Sequence, residues 1–196
     1  MKYAVMDYQT VNGQFNIGDY VQSLAAAQYF PEVNEFINRE QMDAYDGERV
    51  KMILNGWFMH EPKNWPPSEK IQPLFVSFHI NRPHLEKMLT PQSVEYFKRH
   101  QPIGCRDHHT ASQLRSKGVD AYYSGCLTTT LGKNFESGGA RKGVLFVDVM
   151  HSIPDFSEYK KMPMRYLASN IRSGNLLLST KKSDGFQNYR AWYLRN

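Results

Sequence analysis

Three short stretches carry side chains whose type and spacing suit chemistry. In Arg106-Asp107-His108-His109-Thr110 a strand-end arginine and a capping aspartate precede two histidines at the start of a helix. Adjacent histidines project about 100° apart on a helix and share one ion poorly, and no third ligand stands at a recognised spacing, so no metal site is expected. Arg106 either pairs with an acid or binds an anionic ligand. In Asn16-Ile17-Gly18-Asp19 a loop after the first strand opens a helix, the place where nucleotide-binding folds set a phosphate against free backbone amides. The dinucleotide glycine spacing is absent, and Asp19 read as the N-cap would occupy the amides and repel a phosphate. Asn16, Asp19 and Gln22 therefore read either as donors and acceptors for sugar hydroxyls at the sheet edge or as a plain turn and cap.

Asn55-Gly56-Trp57 sits where a buried strand ends, at the sheet edge where open α/β folds bind ligands. The glycine lets a partner approach the backbone, and Trp57 either stacks on a sugar ring or, the favoured reading beside Phe58, closes the core. Ser137 to Gly143 looks like a broken phosphate loop; it lacks the Gly-Lys-[Ser/Thr] ending and reads as a linker.

The elements that must position these groups alternate between strand-length apolar runs and helical periods, the pattern of an α/β fold with a mainly parallel, Rossmann-like sheet and flanking helices. Strands are expected at 2–8, 36–39, 50–55, 74–80, 103–106 and 120–124, with 50–55 and 74–80 buried on both faces. Helices are expected from Asp19 to Phe30, with Val21, Leu24, Ala25 and Gln28 facing inward, from Thr90-Pro91 to His100, and from Asp107 to Gly118. The expected domains are 1–135, a linker over 136–143, and an incomplete second unit over 144–196 that begins with a strand at 143–149 and holds a helix within 157–170.

A hydrophobic share of 41% with 22% charged residues excludes disorder along the whole length. No apolar run reaches the length of a membrane span and the first residues do not read as a signal peptide, so a cytoplasmic protein is expected. Cys105 and Cys126 are expected as buried, unpaired thiols, with no metal-ligand spacing around them. The net charge of +5 is uneven: residues 141–196 hold 10 basic and 4 acidic residues. That excess suits an anionic ligand or a solvated tail, and no specific nucleic-acid binding is expected.

Taken together, six ordered segments resemble the polysaccharide pyruvyl transferase family: Asn16 to Ala26, Ile53 to Phe58, Trp65 to Ser68, Pro73 to His79, Pro102 to Thr110 and Tyr123 to Thr128. The resemblance implies two Rossmann-like domains facing each other across a cleft, as in GT-B glycosyltransferases. It also implies transfer of the carboxyethylidene group of phosphoenolpyruvate to two hydroxyls of a sugar in a cell-envelope polysaccharide or its precursor, with no cofactor. Gly18, Asp107 and Ser124 join Asn16, Asp19, Gln22, Asn55, Gly56, Trp57 and Arg106 as expected substrate-binding residues; no catalytic residue is assigned. Members usually exceed 300 residues and carry a His- and Arg-containing donor segment that has no counterpart after residue 140. The chain alone is thus expected to bind phosphoenolpyruvate weakly, to lose that binding in salt, and to release no phosphate. The alternatives are a non-catalytic carbohydrate- or partner-binding member and a nucleotide-sugar glycosyltransferase of similar fold.

Overall fold

The computed structural model describes residues 1–8, 15–133, 144–147, 164–167 and 170–171. In chain order the elements are β1 (Lys2–Asp7), β2 (Phe15–Asn16), α1 (Ile17–Ala27), β3 (Glu35–Asn38), β4 (Val50–Phe58), β5 (Ile71–Ile80), α2 (Leu85–Met88), α3 (Pro91–Arg99), β6 (Ile103–Cys105), α4 (His108–Ser116), β7 (Ala121–Tyr123), β8 (Val144–Val147), β9 (Met164–Leu167) and β10 (Asn170–Ile171). The chain divides into two units, Met1–Gln9 with Asp19–Gly132 and Thr10–Gly18 with Lys133–Asn196. The expected linker over 136–143 lies outside the described residues.

In the first unit β3-β1-β4-β5-β6-β7 form one parallel six-stranded sheet, the Rossmann-like α/β arrangement. The chain steps from β1 outward to β3, returns to β4 on the other side of β1, and then proceeds in one direction. That reversal makes the carboxyl ends of β1 and β4 the switch point of the sheet. β1 keeps its pairing with β3 through Asp7 and Asn38, yet pairs with β4 only as far as Ala4 and Met52. The two strands part toward their carboxyl ends, and side chains fill the crevice between them.

β5 carries an extra residue. Its register against β4 runs from Leu54 opposite Phe75 to Gly56 opposite Phe78, and Ser77 between them has φ 61°. A non-glycine residue in the left-handed region is uncommon and here forms a β-bulge. The bulge lets Phe75 and Phe78 share one face, with ring centroids 5.1 Å apart. They join Trp65, Tyr96 and Phe97 in an aromatic core under α3. α3 begins as expected, Thr90 Oγ1 accepting the Ser93 N–H at 3.2 Å ahead of Pro91.

Three expectations are corrected. β5 is not buried on both faces: Leu74 is 56% exposed, while α3 packs on the other face, with Phe97 against Phe75. α1 begins at Ile17, since Asn16 Oδ1 takes the Gly18 N–H at 2.8 Å and is the cap, leaving Asp19 in the first turn. Its buried residues are Tyr20, Gln22, Ser23, Ala25 and Ala26, whereas Val21 and Leu24 are only half-buried. Two hydroxyls turn this face inward: Ser23 Oγ donates to the Met6 carbonyl at 2.7 Å and Tyr20 Oη to the Tyr8 carbonyl at 2.9 Å. In the second unit, the segment expected as a helix over 157–170 contains β9, which pairs in parallel with β8; β2 and β10 pair antiparallel.

Candidate functional site

The crevice at the switch point is occupied by Arg39, which follows β3. Its side chain is 4% exposed and lies between the rings of Tyr8 and Trp57, 4.8 Å from each centroid. Nη1 reaches the Trp57 carbonyl at 3.1 Å and Asp19 at 3.4 Å, and Nε donates to Glu40 at 2.8 Å. Glu40 Oε2 in turn accepts the N–H groups of His60 and Glu61, both at 2.9 Å. A buried guanidinium thus has its charge and its donors matched on several sides, the arrangement that burial of a charge requires. Burial raises the Asp19 carboxyl above its ordinary range, and Arg39 opposes that rise without cancelling it. Trp57 is committed on both sides, to Arg39 and to His60 with centroids 4.5 Å apart. It therefore serves as part of the packed wall.

Asn55 is fully buried and its Nδ2 donates to both the carbonyl and Oε1 of Gln22, at 2.9 and 3.0 Å. Gly56, at φ +83°, makes this approach possible: a Cβ there would stand 3.0 Å from Gln22 Cγ. Asn55, Gly56 and Gln22 thus lock β4 to α1. Ser124 is likewise committed, its Oγ accepting the Ser77 N–H at 2.9 Å and donating to the Cys105 carbonyl at 3.1 Å. Asn16 and Gly18, in the second unit, form the cap turn of α1 with each other.

What remains available is a different set. Gln22 Nε2 donates to Cys126 Sγ at 3.4 Å, and Thr128 Oγ1 lies 3.1 Å from the same sulfur. Partial burial would raise this thiol, but these two contacts and the nearby Arg106 charge hold it below its ordinary value. Cys126 therefore departs from the expectation of a buried apolar thiol. Cys105, wholly buried in β6, keeps to it, pushed up to about 12 by burial. The Arg106 guanidinium, half-buried at the end of β6, makes no hydrogen bond or ion pair among the described residues.

On β5, beyond the bulge, His79 Nδ1 lies 2.6 Å from Asp107 Oδ2. Asp107 caps α4 as expected, Oδ1 accepting the Thr110 N–H at 2.8 Å, while Oδ2 also accepts the Thr110 hydroxyl at 2.9 Å. Desolvation pushes the Asp107 carboxyl up, but the Thr110 amide, His79 and the Thr110 hydroxyl outweigh it and hold the carboxyl below its ordinary value. His79 is absent from the residues chosen by motif, and so is Arg39. A histidine one residue before a strand's end and an arginine just after one were the only signals for them. Among the described residues no group of three His, Cys, Asp or Glu side chains is placed to hold a metal, and no helix is long and apolar enough to cross a membrane.

Comparison with family models, with curated proteins and with solved structures gives no match to this chain. The class that stands on the structure is an α/β protein with a parallel Rossmann-like sheet whose carboxyl edge carries an arginine and a histidine–aspartate pair.

Proposed function

We propose that the protein is a pyruvyl transferase acting on a sugar of a cell-envelope polysaccharide or its precursor, with phosphoenolpyruvate as donor, and that the first unit supplies the sugar-binding side of a GT-B-like cleft together with a cation, Arg106, that reaches the donor. The observation that carries this reading is the Arg106 guanidinium at the carboxyl edge of the sheet, half-buried and without a hydrogen bond or ion pair among the described residues. An anionic donor needs a cation with spare donors, and Arg offers a fork matched to carboxylate and phosphate. The six segments named above add the resemblance that selects this donor among anions.

The chemistry is balanced by two hydroxyls. A proton joins the methylene carbon of phosphoenolpyruvate, the first hydroxyl oxygen bonds to the neighbouring carbon and gives up its proton, and the second hydroxyl displaces phosphate to close the ketal. One hydroxyl proton ends on the new methyl group and the other on the departing phosphate. The protein must hold the anion, move the proton, and offset charge on the leaving group.

Titrating the full chain with phosphoenolpyruvate tests this reading. Saturable binding that falls about tenfold in Arg106→Gln is expected, the loss of one charge-assisted contact. Binding that is absent, or indifferent to Arg106→Gln, overturns it. Phosphate release in the presence of acceptor saccharides then separates a catalytic chain from one that only binds.

A further inference from the structure

We propose that His79 is the acid–base group of this sheet edge and Asp107 its positioning residue, with Nε2 of His79 taking the proton of a ligand hydroxyl. The choice of ligand rests on the function proposed above; the pair itself does not. Asp107 Oδ2 faces two partners, the Thr110 hydroxyl at 2.9 Å and His79 Nδ1 at 2.6 Å, while Oδ1 takes the Thr110 amide. An ionised carboxylate only accepts, so Nδ1 carries the hydrogen and the lone pair resides on Nε2. Nε2 has no hydrogen-bond partner among the described residues and is not among the buried atoms lacking one. The side chain of His79 is 22% exposed, so the ring is partly open to solvent.

Two features show that the ring is held by design of the backbone. The bulge at Ser77 gives the core face to Phe78 and Ile80 and leaves His79 off it. Asp107 is fixed by its capping bonds, so the carboxylate cannot swing away from Nδ1. An aspartate that fixes the tautomer and offsets the charge of an imidazolium is the arrangement by which histidine serves as a general base. In the transfer, the O–H bond of the hydroxyl breaks, its proton forms an N–H bond at Nε2, and the oxygen bonds to the donor carbon. As that bond forms, the ring passes the proton on from Nε2 to the donor's methylene carbon and so returns to the neutral Nδ1–H state.

The test uses the full chain labelled with ¹⁵N-histidine and the reagent diethyl pyrocarbonate, with sites of modification read by peptide mass spectrometry. The Nδ1–H tautomer is expected for His79, lost in Asp107→Asn, a variant that still caps α4 because asparagine caps as well as aspartate. Carbethoxylation at His79 Nε2 is expected to slow about tenfold in Asp107→Asn while His108 and His109 keep their rates. Phosphoenolpyruvate with methyl β-galactoside is expected to shield His79. An Nε2–H tautomer, or a rate at His79 unchanged by Asp107→Asn, overturns the proposal. Fast, Asp107-dependent modification without shielding upholds the acid–base pair and overturns only the ligand class proposed above.

Discussion

Asn55 on β4 gives both hydrogens of its amide to a single residue of α1, Gln22, one to the main-chain carbonyl and one to the side-chain oxygen. The bond pair is wholly buried at the point where β1 and β4 part, so it closes with hydrogen bonds a seam that the strands leave open. Asn55→Asp keeps the shape and replaces the donor with a carboxylate facing two acceptors. A loss of about 3 kcal/mol or more is expected from urea unfolding, the cost of an uncompensated buried charge. Asn55→Ala, which leaves Gln22 Oε1 unpaired, should cost about 1–3 kcal/mol.

Gly56 should resist replacement for a separate reason. Its φ of +83° disfavours any L side chain, and the added Cβ would meet Gln22 Cγ at 3.0 Å. Gly56→Ala is expected to destabilise by about 1–3 kcal/mol in the same assay.

The switch-point crevice depends on Arg39. Arg39→Met leaves Asp19 and Glu40 without their cation, at 19% and 16% side-chain exposure. The expected cost is about 3–5 kcal/mol, and Arg39→Lys should recover only part of it because an ammonium neither forks to both acids nor stacks flat between Tyr8 and Trp57. Equal stability of Arg39→Lys and the parent chain would contradict the sandwich.

The two thiols should separate in alkylation. Cys126 is held below its ordinary value and half-buried, Cys105 is pushed up to about 12 and enclosed. Iodoacetamide should label Cys126 first in the native protein, with a pH midpoint below the roughly 8.5 of a free thiol. Arg106→Gln should move that midpoint upward, since the guanidinium charge favours the thiolate.

Asp107 links stability to acid pH. Its folded carboxyl lies below the unfolded value of about 3.9, so its contribution is present at neutral pH and is lost as pH falls through the folded value. The stability gap between the parent chain and Asp107→Asn should therefore be widest above about pH 4 and close below it. With Asp107 a third exposed, solvent screening keeps the gap small. A gap that widens on acidification would contradict the assignment.

The local signals of this fold were legible because they are written in short range. Thr90-Pro91 and Asp107 cap the helices they were expected to cap, and the parallel sheet follows from the alternation of apolar runs with helical periods. Other features depend on contacts distant in sequence. Asn16, not Asp19, caps α1 because Asp19 is drawn to Arg39, 20 residues further on. Leu74 reads as a buried strand residue, but whether a strand is covered on both faces depends on which side its neighbouring helices take. Among the residues expected at the site, motif reading named Arg106 and Asp107, which follow β6 at the carboxyl edge of the sheet. It also named Asn55, Gln22 and Ser124, which hydrogen-bond within the protein, although the buried Asn55 Oδ1 has no partner among the described residues. It passed over His79, whose role depends on a bulge that no residue type announces.

That bulge works as a phase inverter. Up to Phe75 the odd-numbered side chains of β5 face the aromatic core; from Phe78 the even-numbered ones do. Removing one residue between the two phenylalanines would restore strict alternation with both rings still on the core face and the imidazole still off it, whereas flattening the bulge at the present length would turn the imidazole to the core and Phe78 away from it. The placement of a titratable ring at this edge is therefore encoded in the backbone conformation of Val76 and Ser77, which sets one residue out of the pleat, and not in the alternation of residue types along the strand.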